Sequence, residues 1–202
     1  AAVAAAIDFY FDFSSPYSYL AAAQIDALAA RHGRAVAWHP ILLGVVFQHL
    51  GSVSLVQQPG QGDYAPRDMA RSARFLGLPF HMPSRFPLPT QAAARAYYWL
   101  DERDPLLARR FAHSVFAAYY VDDRDISAPE TVLELAAALG VARDELTAAL
   151  ALPEVKARLK QETEAALAIG LFGAPWIVVD GEAFWGADRL PQVDRWLETG
   201  GF

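Results

Sequence analysis

The sequence of 202 residues contains no cysteine. This absence excludes disulfide bonds, metal sites built from thiolates, and redox chemistry that uses sulfur of the protein itself. Any reaction that needs a sulfur nucleophile must therefore obtain the sulfur from a bound ligand.

Other absences restrict the partners of the chain. No basic run interleaves with aromatic residues and the formal net charge is -6, so nucleic acid and anionic membranes are excluded as expected partners. No apolar run approaches the ~20 residues of a membrane span. The opening Ala1–Ala6 stretch lacks basic residues and leads directly into the first strand, so it is not predicted to be a signal peptide. We expect a soluble, cytoplasmic protein.

The histidines do not form a metal-binding pattern. None of the five shows ligand spacing such as H-x-x-x-H, and no metal site is predicted. Hydrophobic residues make up 54% of the chain, which is enough for one sizeable core or for a small domain carrying a large insertion.

The stretch Phe9–Leu20 joins a strand to a helix. Apolar residues occupy alternate positions from Ile7 to Phe13, which predicts a strand, and helical spacing follows. Pro16 fits the first helical position and Ser15 the N-cap. A side chain at such a cap lies at the positive end of the helix dipole, beside free backbone N–H groups, and can stabilise a thiolate. From the spacing alone, Ser15 is either an ordinary cap or an anion-binding residue.

The rest of the sequence predicts the overall order of the elements, which is β-α-β, then a block of helices, then β-β-α. A second strand is predicted over Val36–Ile41, and almost all of Tyr64–Gly170 has helical patterning. Asp180-Gly181 predicts a hairpin between two strands near the C-terminus. Helix starts are predicted at Pro66, after Thr90, at Pro105, at Pro153, and after a Ser127 cap with Glu130 at the third helical position.

This order is that of a thioredoxin-like fold. We predict an α/β protein whose thioredoxin-like domain comprises residues 6–60 and 171–202, with an all-helical insertion over residues 61–170. No internal repeat or low-complexity linker indicates two independent domains.

Three blocks resemble the 2-hydroxychromene-2-carboxylate isomerase family, which is close kin of kappa-class glutathione transferases and of the DsbA group. They are Phe9–Leu20, then Asp68–Arg71 with Gly77–Phe80, and last Gly170–Trp176 through Phe184–Leu190. The resemblance spans nearly the whole chain in order. It implies a DsbA-like thioredoxin fold and glutathione as cofactor.

The resemblance also implies roles for individual residues. Ser15 matches the position that holds the thiol of bound glutathione, where DsbA-like proteins have a redox cysteine. Ala174 precedes Pro175 at the cis-proline position and would bind glutathione through its main chain. Asp188 matches the acid that takes the γ-glutamyl ammonium, and Ala187 stands where relatives have Ser or Asn. The alternatives are a trans proline turn, and an N-cap role for Asp188.

Other positions depart from the family pattern. Ser52 stands where relatives often have Asn, and Pro89 replaces a further Asn. Gln61 stands where relatives place a Lys that holds the anionic end of glutathione, so it provides a hydrogen bond but no charge. Arg67 or Arg71 could compensate, although an exposed position on the helix is equally expected of either.

Three functional hypotheses follow. The first is a glutathione-dependent cis-trans isomerase of an aromatic 2-oxo acid, with Ser15 as the catalytic residue and with Tyr17, Phe47 and Trp185 lining the substrate pocket. The second is glutathione transfer to electrophiles on the same fold. The third is a non-catalytic DsbA-like binding module. Relatives suggest a homodimer.

Overall fold

A four-stranded sheet forms the centre of the protein. The computed structural model describes residues 3–202, so the first two residues of the alanine-rich opening lie outside the described chain. The strands are β1 (Ile7–Phe11), β2 (Val36–Pro40), β3 (Trp176–Val179) and β4 (Glu182–Trp185). Their order is β2-β1-β3-β4, with β1 and β2 parallel and the other two pairs antiparallel. The predicted thioredoxin-like fold is confirmed.

Alternation within β1 determines which face of the sheet meets the main core. Ile7, Phe9 and Phe11 are fully buried on the same face of the strand. The rings of Phe9 and Phe11 lie 5.0 and 5.3 Å from the Trp38 ring on β2, with near-perpendicular planes. Such edge-to-face contacts add to the burial of apolar area and hold the two parallel strands together.

The hairpin between β3 and β4 forms at the predicted turn. Asp180 and Gly181 have φ values of 49° and 87°. Positive φ at both central residues is the requirement of a type I′ turn, which matches the twist of the paired strands. The Asp-Gly pair therefore defines the register of β3 against β4.

Helices cover both the sheet and the region between its halves. The helices are α1 (Pro16–Arg31), α2 (Leu43–Leu50), α3 (Gln61–Phe75), α4 (Gln91–Asp101), α5 (Pro105–Tyr120), α6 (Pro129–Ala137), α7 (Arg143–Ala151), α8 (Pro153–Ala168) and α9 (Leu190–Thr199). Short 3-10 turns occur at Leu55–Gln57 and Ala187–Arg189. One cluster of buried side chains runs from the sheet through α1 into α4, α5 and α6. The division into two domains stays a prediction.

Two predicted helix starts were wrong. Pro66 lies inside α3, which begins at Gln61 because the preceding loop supplies acceptors for its first turn, as in the 2.8 Å hydrogen bond from the Gly62 N–H to the Gln58 carbonyl. The N-cap of α6 is Ala128. The hydroxyl and N–H of Ser127 instead donate to the carboxylate of Asp125.

The starts of α4, α5 and α8 are confirmed. The N-cap of α5 is Asp104, whose carboxylate accepts a 3.1 Å hydrogen bond from the Leu107 N–H. Thr90 lies at the N-cap position of α4, but its hydroxyl makes no capping bond. It donates instead to Asp12, at the end of the first strand.

Buried tyrosines attach the helical layer to the ends of the strands. The Tyr98 hydroxyl of α4 donates to the Pro40 carbonyl at 2.7 Å, and the Tyr120 hydroxyl of α5 donates to the Phe13 carbonyl at 2.8 Å. Each bond satisfies a buried phenol and a main-chain carbonyl at or just after the end of a strand, and so stabilises the junctions after β1 and β2. Within residues 3–202, no helix combines the length and apolarity needed to cross a membrane.

Candidate functional site

A cavity of about 930 Å³ opens where the chain passes from β1 into α1. Its walls come from the start of α1, from α2 and the loop that follows it, from the starts of α3 and α4, and from the segment before β3. Most of the lining is apolar, with a few hydroxyl and amide groups. Seven of the predicted site residues line it: Ser15, Tyr17, Phe47, Ser52, Gln61, Ala174 and Trp185.

Ser15 is the N-cap of α1 and lies on the cavity wall. Its Oγ accepts a 3.1 Å hydrogen bond from the Ser18 N–H, and donates at 3.4 Å to the Ala174 carbonyl. A donor–acceptor distance of 3.4 Å is long for a hydroxyl hydrogen bond, so the proton of Ser15 is only weakly engaged. Pro16 has no N–H, and the Tyr17 N–H has no acceptor in the described chain. The helix end therefore offers an anion one free N–H, that of Tyr17, together with the weakly engaged hydroxyl of Ser15.

Ala174 and Pro175 face this helix end across the cavity. Their peptide bond is cis, so the alternative of a trans turn was wrong. No acceptor for the Ala174 N–H exists among residues 3–202, and the Ala174 carbonyl receives only the long bond from Ser15. The main chain of Ala174 is thus open to an extended ligand, while Pro175 is buried and its carbonyl accepts from the Gly186 N–H at 3.0 Å.

Asp188 carries an unpaired carboxylate near the cavity. It lies on the exposed 3-10 turn Ala187–Arg189, and makes no hydrogen bond or ion pair with any described residue. The N-cap of α9 is Arg189, so the alternative capping role of Asp188 was wrong. Asp188 and Ala187 lie outside the lining of the cavity. The turn that carries Asp188 packs against α1, and the charge of Asp188 is the smallest of the causes that raise the pKa of Tyr17.

Tyr17, in the first turn of α1, is hydrogen-bonded to a group of side chains on α3. Its hydroxyl donates to Asp68 at 2.6 Å, and Asp68 accepts from Arg71 at 2.9 Å. Burial, and then the hydrogen bond to Asp68, raise the pKa of Tyr17, so its hydroxyl stays protonated. Arg71 also donates to the Tyr64 hydroxyl at 2.9 Å. Because Arg71 is paired and Arg67 is exposed outside the cavity lining, neither replaces the missing lysine charge within the cavity.

An aromatic wall closes the cavity on the side of β3 and β4. The rings of Phe172 and Trp185 lie 4.9 Å apart, and half of the Trp185 surface is exposed. The indole of Trp185 packs directly against Gly173, and a Cβ added to Gly173 would lie 2.5 Å from the indole Nε1. Phe47 contributes a half-buried ring from α2. These rings provide the flat, apolar surface that an aromatic substrate requires.

The three departures from the family pattern all face the cavity. Ser52, Gln61 and Pro89 are among its lining residues, and all three are exposed. Gln61 begins α3 and carries no charge, and the Ser52 hydroxyl reaches only its neighbouring carbonyl at 3.5 Å. These three residues line the cavity, but none of them has a charged side chain.

Sequence reasoning missed Asp12, which is buried beneath the cavity. Its carboxylate accepts hydrogen bonds of 2.9 Å from the Ser14 N–H, 2.7 Å from the Thr90 hydroxyl and 2.9 Å from the Leu43 N–H. Burial raises the pKa of Asp12, although these hydrogen bonds act in the opposite direction. An aspartate between Phe11 and Phe13 was the available signal, but its partners are distant in sequence.

Arg95 was also missed. It lies on α4 one turn after Gln91, and both residues line the cavity. Its Nε is buried without a partner, and its guanidinium makes no hydrogen bond or ion pair in the described chain. The signal was present in the sequence, because Arg95 is the one cationic residue in the segment Gln91–Asp101.

Comparison with known proteins gives relatives of two enzyme classes over nearly the whole chain. The chain is 29% identical to glutathione S-transferase kappa 2 of Caenorhabditis elegans, over 95% of this chain and 91% of the relative. It is 27% identical to a 2-hydroxychromene-2-carboxylate isomerase of Sphingobium xenophagum, over 95% of this chain and 97% of the relative. Both matches agree with the resemblance inferred from the sequence.

A solved structure of a 2-hydroxychromene-2-carboxylate isomerase superimposes with a TM-score of 0.86 and 27% sequence identity, covering 96% of this chain and 95% of that one. The family model of the DSBA-like thioredoxin domain matches residues 6–198. The chain therefore belongs to the family of DSBA-like thioredoxin domains.

Proposed function

We propose that the protein is a glutathione-dependent isomerase of aromatic 2-oxo acids. One observation carries the proposal: the weakly engaged Ser15 hydroxyl, the free Tyr17 N–H and the open main chain of Ala174 meet at a large apolar cavity in a chain without cysteine. The helix end favours an anion, and the chain has no sulfur nucleophile of its own. A thiol ligand satisfies both conditions.

The residues present fit glutathione. An extended peptide can pair with the N–H and carbonyl of Ala174 as an added strand. The unpaired carboxylate of Asp188, on a turn that packs against α1, suits the ammonium of the γ-glutamyl group. The thiol would then lie at the Ser15 hydroxyl, between these contacts and the aromatic wall.

Glutathione, when bound, would supply a nucleophilic thiol for reversible addition to a conjugated double bond, and elimination of the thiol after rotation about the resulting single bond would release the isomerised acid. Ser15 donates its hydroxyl proton toward the sulfur, and so favours the thiolate at neutral pH. The free N–H of Tyr17 and the dipole of α1 act in the same direction. The rings of Phe47 and Trp185 hold the substrate flat and exclude water, which strengthens these electrostatic contacts.

Glutathione transfer to electrophiles is the second candidate. The kappa-class relatives support it, because they match this chain over as much of its length as the isomerases do. The two activities share the thiolate site and differ in the fate of the adduct. Neither requires a metal, and no cluster of potential metal ligands occurs in residues 3–202. The cytoplasmic location and the homodimer stay predictions.

Titration calorimetry with glutathione and with S-methylglutathione tests the proposal. We expect glutathione to bind more tightly than its methylated form, with a difference that grows as pH rises, because only the free thiol can become an anion at Ser15. Saturation at ~100 times Kd should add about 2.7 kcal/mol to the free energy of unfolding.

Activity assays then separate the two enzyme classes. An isomerase converts 2-hydroxychromene-2-carboxylate with catalytic amounts of glutathione, whereas a transferase consumes glutathione with chlorodinitrobenzene. Binding of neither thiol form would contradict the proposal and favour the DsbA-like binding module.

A further inference from the structure

The cavity contains one charged side chain that has no hydrogen bond or ion pair in the described chain. Only two of its lining residues, Asp12 and Arg95, are ionisable at neutral pH. Asp12 accepts hydrogen bonds from three neighbouring groups, so its carboxylate is satisfied by neutral donors. Arg95 has no partner at all among residues 3–202.

An unpaired guanidinium in a partly enclosed, mostly apolar cavity is unfavourable without an anion. Transfer of a charged group away from water costs free energy unless the group is paired. The planar guanidinium has donors arranged to bind a carboxylate through two parallel hydrogen bonds. The buried Nε of Arg95 is one of those donors, and it has no acceptor in the described chain.

Arg95 and the proposed glutathione contacts come from different elements around the sheet. The helix of Arg95 is attached to the end of β2 through the 2.7 Å hydrogen bond from the Tyr98 hydroxyl to the Pro40 carbonyl. Ala174 precedes β3, and Trp185 ends β4, on the other side of β1. Ser15 follows β1, between these edges. We therefore place a peptide ligand held by Ala174 on the β3 side of the cavity, and a second ligand on the side of α4.

We infer that Arg95 binds the carboxylate of the aromatic acid in the reaction proposed above, and so determines the preference for an acid over a neutral electrophile. The position of the sulfur rests on the proposed function, but the anion site at Arg95 does not. The assignment predicts discrimination against neutral electrophiles, because an uncharged substrate leaves the guanidinium unpaired.

Binding of trans-2-hydroxycinnamate in the absence of glutathione tests the site directly, with the corresponding amide as the neutral probe. Calorimetry should show wild-type protein binding the acid about 10- to 100-fold more tightly than the amide, as expected for a charge-assisted pair. Arg95→Met should abolish this preference while keeping the apolar stem. Arg95→Lys should retain part of it.

Arg110→Met is the matched control, because it removes one exposed positive charge of α5 that has no partner in the described chain. It should leave both affinities unchanged. Equal binding of the acid by wild-type protein and Arg95→Met would overturn the inference, as would failure of the wild-type protein to bind the acid at millimolar concentration. Thermal unfolding of each variant checks that the fold is retained.

Glutathione titrations on the same variants separate the two proposals. Arg95→Met should bind glutathione as wild-type protein does. If the variant loses affinity for glutathione but not for the acid, the guanidinium binds a carboxylate of glutathione and our assignment is wrong. If neither the wild-type protein nor any variant binds glutathione, but binding of the acid still depends on Arg95, the proposed function is wrong and the anion site is supported.

Discussion

The Ser15 hydroxyl lies 3.4 Å from the Ala174 carbonyl oxygen, although 159 positions separate the two residues in sequence. The contact brings the amino end of α1 against the segment that leads into β3. A ligand paired with the main chain of Ala174 is thereby placed at the helix end without any further movement of the chain. This arrangement is the basis of the first prediction.

Ser15→Ala should raise the thiol pKa of bound glutathione, because the helix end loses its hydroxyl donor. At pH values below the thiol pKa, a rise of about one pKa unit lowers the thiolate fraction roughly tenfold, and turnover should fall by a similar factor. Thiolate absorbance measured against pH reports the change directly.

Asp104→Ala is the control for the loss of a helix cap, because Asp104 caps α5 through the Leu107 N–H. Each substitution should reduce the free energy of unfolding by about 1 kcal/mol. Only Ser15→Ala should alter the thiol. Unchanged turnover in Ser15→Ala would reject the role that we assign to Ser15.

Asp188→Asn should weaken glutathione binding about tenfold, since it removes the charge proposed to pair with the γ-glutamyl ammonium. Calorimetry with a glutathione analogue that lacks this ammonium should show no further loss in the variant. Glu182→Gln removes another exposed and unpaired carboxylate from the neighbouring β4, and should not change the affinity. Equal losses in both variants would indicate a general effect of net charge.

Gly173→Ala should disturb the aromatic wall. The added Cβ would lie 2.5 Å from Nε1 of Trp185, so the indole must move. We expect a shift in tryptophan fluorescence and a rise in KM for the aromatic substrate.

Gly44→Ala is the control, because the helical Gly44 also lines the cavity and has no atom within 4 Å of an added Cβ. It should stabilise the fold by about 0.5–1 kcal/mol without affecting the substrate. Normal fluorescence and KM in Gly173→Ala would contradict the packing described.

Stability should fall as pH rises through the pKa of His39. Burial opposes its protonation, but hydrogen bonds to Glu162 and Asp8 outweigh burial, and the pKa of His39 is raised above 6.5. The stabilisation is therefore full below the unfolded value of 6.5, and is lost as pH rises through the higher folded value. Denaturant unfolding across this range measures the loss.

His39→Gln should flatten that pH dependence. His49→Gln is the matched control, because His49 is exposed at the end of α2 and has no hydrogen-bond partner in the described chain. A profile that falls equally in wild-type protein and His39→Gln would show that other groups cause the pH dependence.

Local signals predicted the elements that surround the site. The alternation in β1, the Ser15-Pro16 helix start and the Asp180-Gly181 turn depend on neighbouring residues only, and all three formed as expected. The start of α3 was not predictable from Pro66, because the hydrogen bonds that stabilise its first turn come from the preceding loop. Proline marked a helix correctly, but not its first residue.

The charged groups of the cavity were harder to predict. Asp12 obtains two of its three hydrogen bonds from Leu43 and Thr90, which only the folded chain brings near it. The absence of a partner for Arg95 likewise becomes visible only when every neighbour is known. Helix caps and turns depend on residues that are adjacent in sequence, whereas the pairing of a charged side chain depends on residues that are distant in sequence.

Two of the three hydrogen bonds of Asp12 connect the end of β1 to the first residue of α2 and to the N-cap of α4. The starts of two helices that line the cavity are thus bonded to a single buried carboxylate in its wall. Their separation is fixed before any ligand arrives, so entry of a substrate requires little ordering of the backbone here. Little of the free energy of binding is then lost in ordering the cavity walls, so more of it contributes to the affinity for the substrate and to its orientation.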